Sequence, residues 1–508
     1  MRSLAAVTLL LCALACVTER GTLTNQMAQS NTRYLARAAR QPVSWQSWGR
    51  QVFTLAARLD RPILLYIGAD GCRWCAAMDR ETYADATLGA LIDSLFVPVR
   101  LDRDEHPDVA RRYQVAVQLL TGLRGYPLTV FLTPDGSAFF GGTYFPADDP
   151  LTGRGMKQIL PEVARSFAQH RPFIVRQAAL VRQLAFTSEA GAHGVLQPRA
   201  IGAGIDRVRI ALAQALRARV PLSGMLDSPA AALLLSAAAR GGDSSYLTVA
   251  RAVLDFLADS GEVVAATSDR DEPPGVVRAG MLRNLAVGWV FAGEPRYRDA
   301  ARRILRSLGP ELGRTSDRAV FADREAYVIE VVLEASLAVD DSVAPAGALS
   351  ALDTLLERAY QNGRGVRHVV GGLGLAGALL QDQVHVAGAC LAAYGATGQE
   401  RYLSVAADLA AILAREFADP TGGYFDAPRA DAALPALADR TKQIWDDLLP
   451  GANAWAARVL LQLADATGEP AYRRRAEATL EAFAGMRPGD EVRASTYLAV
   501  AQSVLPLP

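Results

Sequence analysis

Two cysteines with two residues between them, in the run Cys72-Arg73-Trp74-Cys75, carry the clearest chemistry in this chain. That spacing allows both a disulfide and two free thiols. The apolar run Pro62 to Ile67 ahead of it reads as a buried strand and Gly68 to Gly71 as a turn. The residues from Cys72 to about Leu95 read as helix. A thiol at a helix start meets free backbone N–H groups and the positive end of the helix dipole, and both stabilise its thiolate. Arg73 sets a permanent charge beside Cys72, which should lower that thiol's pKa and favour the reduced form. The expected division of labour is attack by Cys72, at the exposed edge of the helix, and resolution by Cys75 one turn inside. Trp74 would cover the pair and offer a partner a flat apolar contact. A zinc site and a static structural disulfide are the alternatives. Zinc needs four ligands, and the chain has five histidines and no second close cysteine pair. The expectation is a redox pair with no metal and no cofactor.

A second chemistry would need two carboxyls across a cleft, as in glycoside hydrolysis. Asp382, Asp446 and Asp447 lie in helix-rich sequence where they could converge, although cap or surface roles are the commoner fate of such acids. His385, one turn after Asp382 in an apolar helix, reads as a packed core histidine. Cys390 reads as a small buried hydrophobe.

The elements around these residues fall into two regimes. Residues 41–150 alternate strand and helix signals: Phe96 to Leu101 as a strand, Asp108 to Val117 as a helix, Leu128 to Leu132 as a strand, Pro134 to Gly136 as a turn, then Phe139-Phe140 in a partner strand. The order implies a central sheet with helices packed on it. Residues 151–198 read as a helical connector. Over 199–508 no strand pattern appears, and helical stretches follow one another between short Gly, Pro and Asp breaks. A Gly-x-x-x-Tyr junction recurs there at Gly242/Tyr246, Gly293/Tyr297, Gly398/Tyr402 and Gly468/Tyr472. The glycine suits a left-handed helix end and the tyrosine can pack back over the junction. The widest gap fits a further, degenerate junction near Asp340-Asp341. Five or six helical hairpins follow, best arranged as a closed (α/α)6 toroid, with an irregular bundle as the alternative.

The chain has 508 residues with 53 basic and 53 acidic side chains. That balance gives no electrostatic preference for nucleic acid or anionic membranes. Residues 1–16 read as an export signal: Arg2, then an apolar run from Ala5 to Ala15 too short to span a bilayer, then small residues before Cys16. Cys16 could accept a lipid, although Ala13 stands where a lipoprotein signal usually has Leu. Plain secretion and an uncleaved anchor are the other outcomes. Residues 17–40 read as a tether. The expected location is the bacterial periplasm or cell envelope, with membrane contact only through such an anchor.

Residues 62–145 resemble thioredoxin-like domains, with the CxxC at a helix start, a strand ending at Asp102 and Tyr126-Pro127 ahead of the next strand. The resemblance implies that Pro127 is cis, faces the active-site sulfur and, with Tyr126, helps bind an extended substrate backbone. Thioredoxin has a buried Asp six residues before its first Cys. Tyr66 stands there here, which leaves Asp79, Glu81 and Asp102 as candidate proton acceptors.

A longer set of motifs is similar to one family: Tyr34-Leu35, Pro42-Val-Ser-Trp45-x-x-Trp48-Gly49, the cysteine pair with Met78 and Arg80-Glu81, Leu101-Asp-Arg-x-Glu105-x-Pro107-Asp108, Gly125 to Gly136, and Gly141 to Pro146. It is the thioredoxin-domain family of spermatogenesis-associated protein 20, which implies an α/β thioredoxin-like domain followed by an α/α toroid of six-hairpin-glycosidase type. The family's usual His after the first Cys is Arg73 here. Leu380-x-Asp382, Gly422 to Phe425, Arg440-x-Lys442 and Gly451-x-Asn453 resemble its C-terminal half. Ser223 to Pro229 and Gly280 to Asn284 depart from the family's cleft segments, so several of its carboxylate and aromatic side chains are missing. Asp227 remains without an evident partner. The implied function is a thiol–disulfide oxidoreductase or redox-linked chaperone acting on protein thiols. Its toroid would bind a peptide or glycan without hydrolysing it. A carbohydrate-active toroid with an accessory thioredoxin domain is the alternative.

Overall fold

The computed structural model describes residues 23–189, 192–218, 228–241, 243–261, 274–313, 319–371, 378–428, 439–485 and 491–505. The export segment, Cys16, Gly242 and Asp227 lie outside them. The chain divides into two compact units, the break falling between Ala185 and Phe186.

The first unit is built on a five-stranded sheet: β1 (Gln46–Ser47), β2 (Ile63–Gly68), β3 (Val97–Asp102), β4 (Leu128–Leu132) and β5 (Ala138–Gly142), in the order β1-β3-β2-β4-β5. β1, β3 and β2 run parallel, while β4 pairs antiparallel with β2 and β5 with β4. This is the thioredoxin order. The central strands are buried along their whole length, which is why they read as continuous apolar runs rather than alternating ones. Helices α1 (Arg33–Arg37), α2 (Arg50–Leu59), α3 (Arg73–Glu81), α4 (Ala86–Leu95), α5 (Pro107–Thr121) and, up to Ala185, α6 (Met156–Glu189) complete the unit. The single helix expected from Cys72 to Leu95 is two. The Asp85 carboxylate accepts the Thr87 and Leu88 N–H groups at 2.7 and 3.2 Å and starts α4 afresh.

Two expected boundaries move. Of the tether, the described part is packed: Met27, Tyr34, Leu35 and Ala38 are buried in the same apolar layer as both cysteines. Thr32 caps α1, its hydroxyl accepting the Leu35 N–H at 3.3 Å. The polar residues around these four masked an apolar face too short to show a period. The connector is also part of the unit at its start. Met156, Ile159, Leu160 and Val163 of α6 join that same layer, and Phe167 stacks on Phe139 with ring centres 5.6 Å apart. Pro172 denies α6 an N–H, and its backbone leaves helical angles at His170.

Among its described residues the second unit is mainly helical, with one short hairpin, Tyr360–Gln361 with Gly365–Val366, that sequence reading passed over, and isolated bridges between Phe321 and Val369 and between Ala418 and Tyr424. Its helices are α7 (Pro198–Arg217), α8 (Ala230–Ala239), α9 (Ser244–Phe256), α10 (Pro274–Ala292), α11 (Pro295–Leu308), α12 (Ala322–Ala338), α13 (Ala344–Ala359), α14 (Leu380–Thr397), α15 (Glu400–Ile412), α16 (Ala452–Thr467), α17 (Pro470–Glu481) and α18 (Ser495–Val504). Helix contacts close a cycle: α8 packs on α10, α10 on α12, α12 on α14, α14 on α16, α16 on α18 and α18 back on α8. Outside it, α9, α11, α13, α15 and α17 each pack on the helix before them, and α7 packs on α18 and α8. α12 and α14 are buried on nearly every side, while α11 carries a single apolar stripe.

The repeated junctions do what their composition implies. Gly293, Gly398 and Gly468 take positive φ, and at the degenerate junction Asp340 does so with φ 55°. The tyrosines then tie outer helices together. Tyr246 on α9 donates to Asp206 on α7 at 3.0 Å, Tyr297 on α11 to Asp255 on α9, and Tyr402 on α15 to Asp353 on α13 at 2.9 Å.

Candidate functional site

Cys72 and Cys75 are joined as a disulfide. Gly68 to Gly71 leaves the end of β2, and the Cys72 N–H turns back to the Ala69 carbonyl at 3.4 Å. Cys72 then serves as the cap residue of α3, its sulfur accepting the Cys75 N–H at 3.2 Å. The tight turn tucks the pair inward. Cys72 is 2% exposed and Cys75 not at all, so the exposed edge expected for Cys72 is instead a covered one. The surface beside it belongs to Trp74, which is 53% exposed. The Tyr144 ring meets Trp74 edge-on at 5.2 Å, and the Arg73 guanidinium lies 5.4 Å from the Trp74 ring centre.

Tyr126-Pro127 is cis. Leu128, the next residue, pairs with Ile67, so the proline sits at the end of the sheet where β2 hands over to the cysteine turn. The Tyr126 ring carries the Arg103 guanidinium 5.1 Å from its centre.

Beneath the pair lies a polar group in an apolar layer. Arg100 on β3 is 1% exposed and forms a bidentate pair with Asp79 of α3 at 2.7 and 2.8 Å. Its guanidinium faces the rings of Tyr34, Tyr66 and Trp45 at 4.2, 5.1 and 5.8 Å. The Tyr66 hydroxyl donates to the Cys75 carbonyl at 3.3 Å. Arg37 of α1 pairs with Asp70 in the cysteine turn at 2.7 Å. The N-terminal segment thus braces the site from two sides, a contribution that sequence reading missed. An Arg inside the apolar run Phe96 to Leu101 was the available signal, because a charge at a buried strand position needs a partner.

The three candidate proton acceptors separate clearly. Asp79 is committed to Arg100, and Glu81 accepts the Tyr144 hydroxyl at 3.0 Å near the surface. Asp102 is 2% exposed and pairs in register with Gly68, the last residue of β2. Burial, then the neighbouring Asp104 carboxylate, push it up to about 7. Its ordinary value is 3.8, so between about pH 4 and pH 7 the folded form holds a proton that the unfolded chain has lost. Stability contributed here is fully present at the acid end, falls as pH rises through that window and is level above it. Asp102→Asn should therefore stabilise the unit above pH 7 by on the order of 3 kcal/mol relative to wild type, with little difference at pH 4. Amide exchange of β2 and β3 peptides at both pH values checks this. Equal differences at the two would refute it.

In the second unit the nominated acids are mostly spent. Asp446 accepts the Gly451 N–H and the Thr496 N–H, each at 2.9 Å. Asp382 accepts the Leu379 N–H at 2.9 Å with one oxygen and meets His368 Nδ1 at 2.8 Å with the other. Asp323, His368 and Asp382 have donor atoms within 4.8 Å of one another, all buried, in a cluster the sequence did not reveal. Several of its atoms are engaged within the protein: Asp323 Oδ1 also accepts the Arg324 N–H at 2.8 Å. Asp447 is exposed on the rim of a pocket shared with Asp446, Ser228, Tyr327 and Arg493. Its volume is about 80 Å³, well below that of a typical small-molecule site. Glu330, on α12, is fully buried and paired with Arg458, and the Trp455 Nε1–H donates to it at 3.2 Å. His385 and Cys390 are packed in the core, and burial pushes the His385 imidazole down to about 3, so it is neutral.

Among the described residues no helix is long and apolar enough to cross a membrane. Residues 24–185 match the family Thioredox_DsbH, described as a protein of unknown function, DUF255. Human spermatogenesis-associated protein 20 is 34% identical over 157 residues, which cover 31% of this chain and 20% of that protein. The mouse protein of the same name is 37% identical over 139 residues, covering 27% and 18%. The match thus spans about a fifth of the length of these curated relatives. Two solved structures overlap loosely: an unsaturated glucuronyl hydrolase specific for heparin, with TM-score 0.46, 14% identity and coverage of 60% of this chain and 97% of the other, and an unsaturated glucuronyl hydrolase from Bacillus sp. GL1, with TM-score 0.41, 14% identity and coverage of 52% and 75%. The strand order, the cysteine pair at a helix start and the match of residues 24–185 to Thioredox_DsbH agree on a thioredoxin-like N-terminal unit, similar over this stretch to the spermatogenesis-associated protein 20 relatives.

Proposed function

We propose that the chain is a thiol–disulfide oxidoreductase or redox-linked chaperone that works outside the cytoplasm on protein thiols. Its helical unit would serve as a non-hydrolytic toroid that holds a peptide, glycan or partner protein. The observation that carries the reading is the Cys72–Cys75 disulfide at the start of α3, at the sheet end that also bears Tyr126-Pro127. A helix N-terminus stabilises a thiolate at Cys72, which makes the bond both attackable and re-formable. The exposed Trp74, with Arg73 over its ring, suits a partner's apolar segment. Export by residues 1–16, with or without a lipid on Cys16, would put the pair where disulfides persist. The engagement of the Asp382 and Asp446 carboxylates with backbone N–H groups weighs against hydrolysis in the helical unit.

The test is equilibration of the purified protein with glutathione buffers, counting free thiols. A redox-active pair should interconvert reversibly at a potential between about −120 and −270 mV, the range of working dithiols. A bond that stays closed below about −300 mV would be structural and would end the redox reading.

A further inference from the structure

Beside the Cys75 sulfur lies a hydroxyl that has nothing to bond. Tyr34, on α1, is 1% exposed, and its Oη has no hydrogen-bond partner. A buried hydroxyl left so costs free energy unless another state of the protein uses it. Its direction is fixed by Gly68. A Cβ at that glycine would overlap the Tyr34 hydroxyl and lie 3.0 Å from Cys75 Sγ. Oxygen and sulfur therefore border the same small space, the one that the missing side chain leaves, with no hydrogen bond between them in the disulfide form. The ring is held there by the Arg100 guanidinium 4.2 Å from its centre and by the Arg37–Asp70 pair at the other end of α1.

We propose that Tyr34 is the hydrogen-bond donor to the Cys75 sulfur in the reduced and mixed-disulfide states. The proposal rests on the redox reading above. A thiolate is a far stronger acceptor than a disulfide sulfur, so reduction is the state in which this hydroxyl would gain a partner. When an external thiolate attacks Cys72 Sγ, a new S–S bond forms to Cys72 and the Cys72–Cys75 bond breaks. Its electron pair stays on Cys75 Sγ as a thiolate. A second external thiolate then attacks the sulfur of the first reagent, releasing Cys72 as a thiolate. Two thiols become one disulfide, and the protein takes up two electrons and, at neutral pH, up to two protons. The Tyr34 O–H can donate to the Cys75 thiolate at the moment it forms. Burial raises the phenol well above its ordinary value, so it keeps its proton for this task. Tyr66 touches Cys75 through the carbonyl rather than the sulfur, and of the two unpaired buried hydroxyls in this layer, those of Tyr34 and Tyr83, that of Tyr34 borders the space beside Cys75 Sγ.

The test compares Tyr34→Phe with wild type and with Tyr83→Phe, which changes a ring packed on Trp45 and Tyr66 in the same layer. The first readout is the Cys75 thiolate absorbance in a Cys72→Ala background, titrated with and without Tyr34→Phe. Loss of the donor should lower the thiolate fraction about tenfold, a rise of about one pKa unit. The second is the rate of reduction of the intact disulfide by glutathione, expected to fall by a similar factor. The third is thermal stability of the disulfide form, which Tyr34→Phe should leave unchanged or raise, because the hydroxyl has no partner there. Tyr83→Phe should shift neither the titration nor the rate. An unchanged Cys75 titration in Tyr34→Phe overturns the donor role, as does loss of stability with no redox effect. A wild-type disulfide that glutathione does not reduce removes the redox reading itself, whatever Tyr34 does, so the two failures are told apart.

Discussion

A Cys75→Ser chain should accumulate covalent partners through Cys72 where wild type shows almost none. Under the proposed redox reading, a mixed disulfide on Cys72 would be attacked by Cys75 from within the same helix turn. Such a step is intramolecular, and well-oriented groups reach effective molarities of about 10⁵ M or more. Removing the second thiol leaves only dilute external thiols to release the partner, so the adduct's lifetime should lengthen by orders of magnitude. The exposed Trp74 would hold protein substrates against the sulfur while this happens. The measurement is non-reducing electrophoresis with mass spectrometry of species captured from cells after acid quenching. Adducts on Cys72→Ser in place of Cys75→Ser would reverse the roles of the two thiols. Absence of adducts from both single variants would leave the pair a static brace.

The sheet and the cysteine turn were readable because their signals are local: an apolar run, glycines, then a CxxC at a helix start. The helical unit was readable because it repeats, and even its degenerate junction at Asp340 could be placed by counting. What escaped were contacts between segments far apart in sequence. Tyr34 and Arg37 reach the cysteine turn from a stretch that polar residues disguise as a tether. Asp79 looked like one acid among several until Arg100, on another element, claimed it. Asp382 and Asp446 take the cap-type role that their sequence setting favoured, accepting backbone N–H groups, while the His368 side chain that also meets Asp382 left no local mark. The repeat also hid the Tyr–Asp links, since the aspartates fall at no constant offset from the junctions.

The Arg100–Asp79 pair sets the second large effect. The Arg100 side chain is wholly inaccessible and that of Asp79 is 19% exposed. Asp79→Asn keeps the side chain's shape but removes the charge, leaving a guanidinium in an apolar layer. Breaking a buried pair from one side typically costs about 3–5 kcal/mol. Gln41 Oε1, 3.4 Å from the same nitrogen, supplies an acceptor but no charge. The Tyr34 and Tyr66 rings offset part of the loss, which favours the low end. For a unit of this size each kcal/mol moves Tm by about 2–4 °C, so a fall of roughly 10 °C is expected. Replacing both partners with apolar residues, as in Asp79→Leu with Arg100→Met, should recover most of it, because no charge then remains buried. The double variant thus separates the cost of an orphaned charge from loss of the pair itself. Thermal melts of wild type, Asp79→Asn and the double variant under one set of conditions decide the matter. A single variant within about 1 kcal/mol of wild type would mean that water or a rearranged side chain reaches Arg100, and that the layer under Cys75 is less closed than its contacts imply.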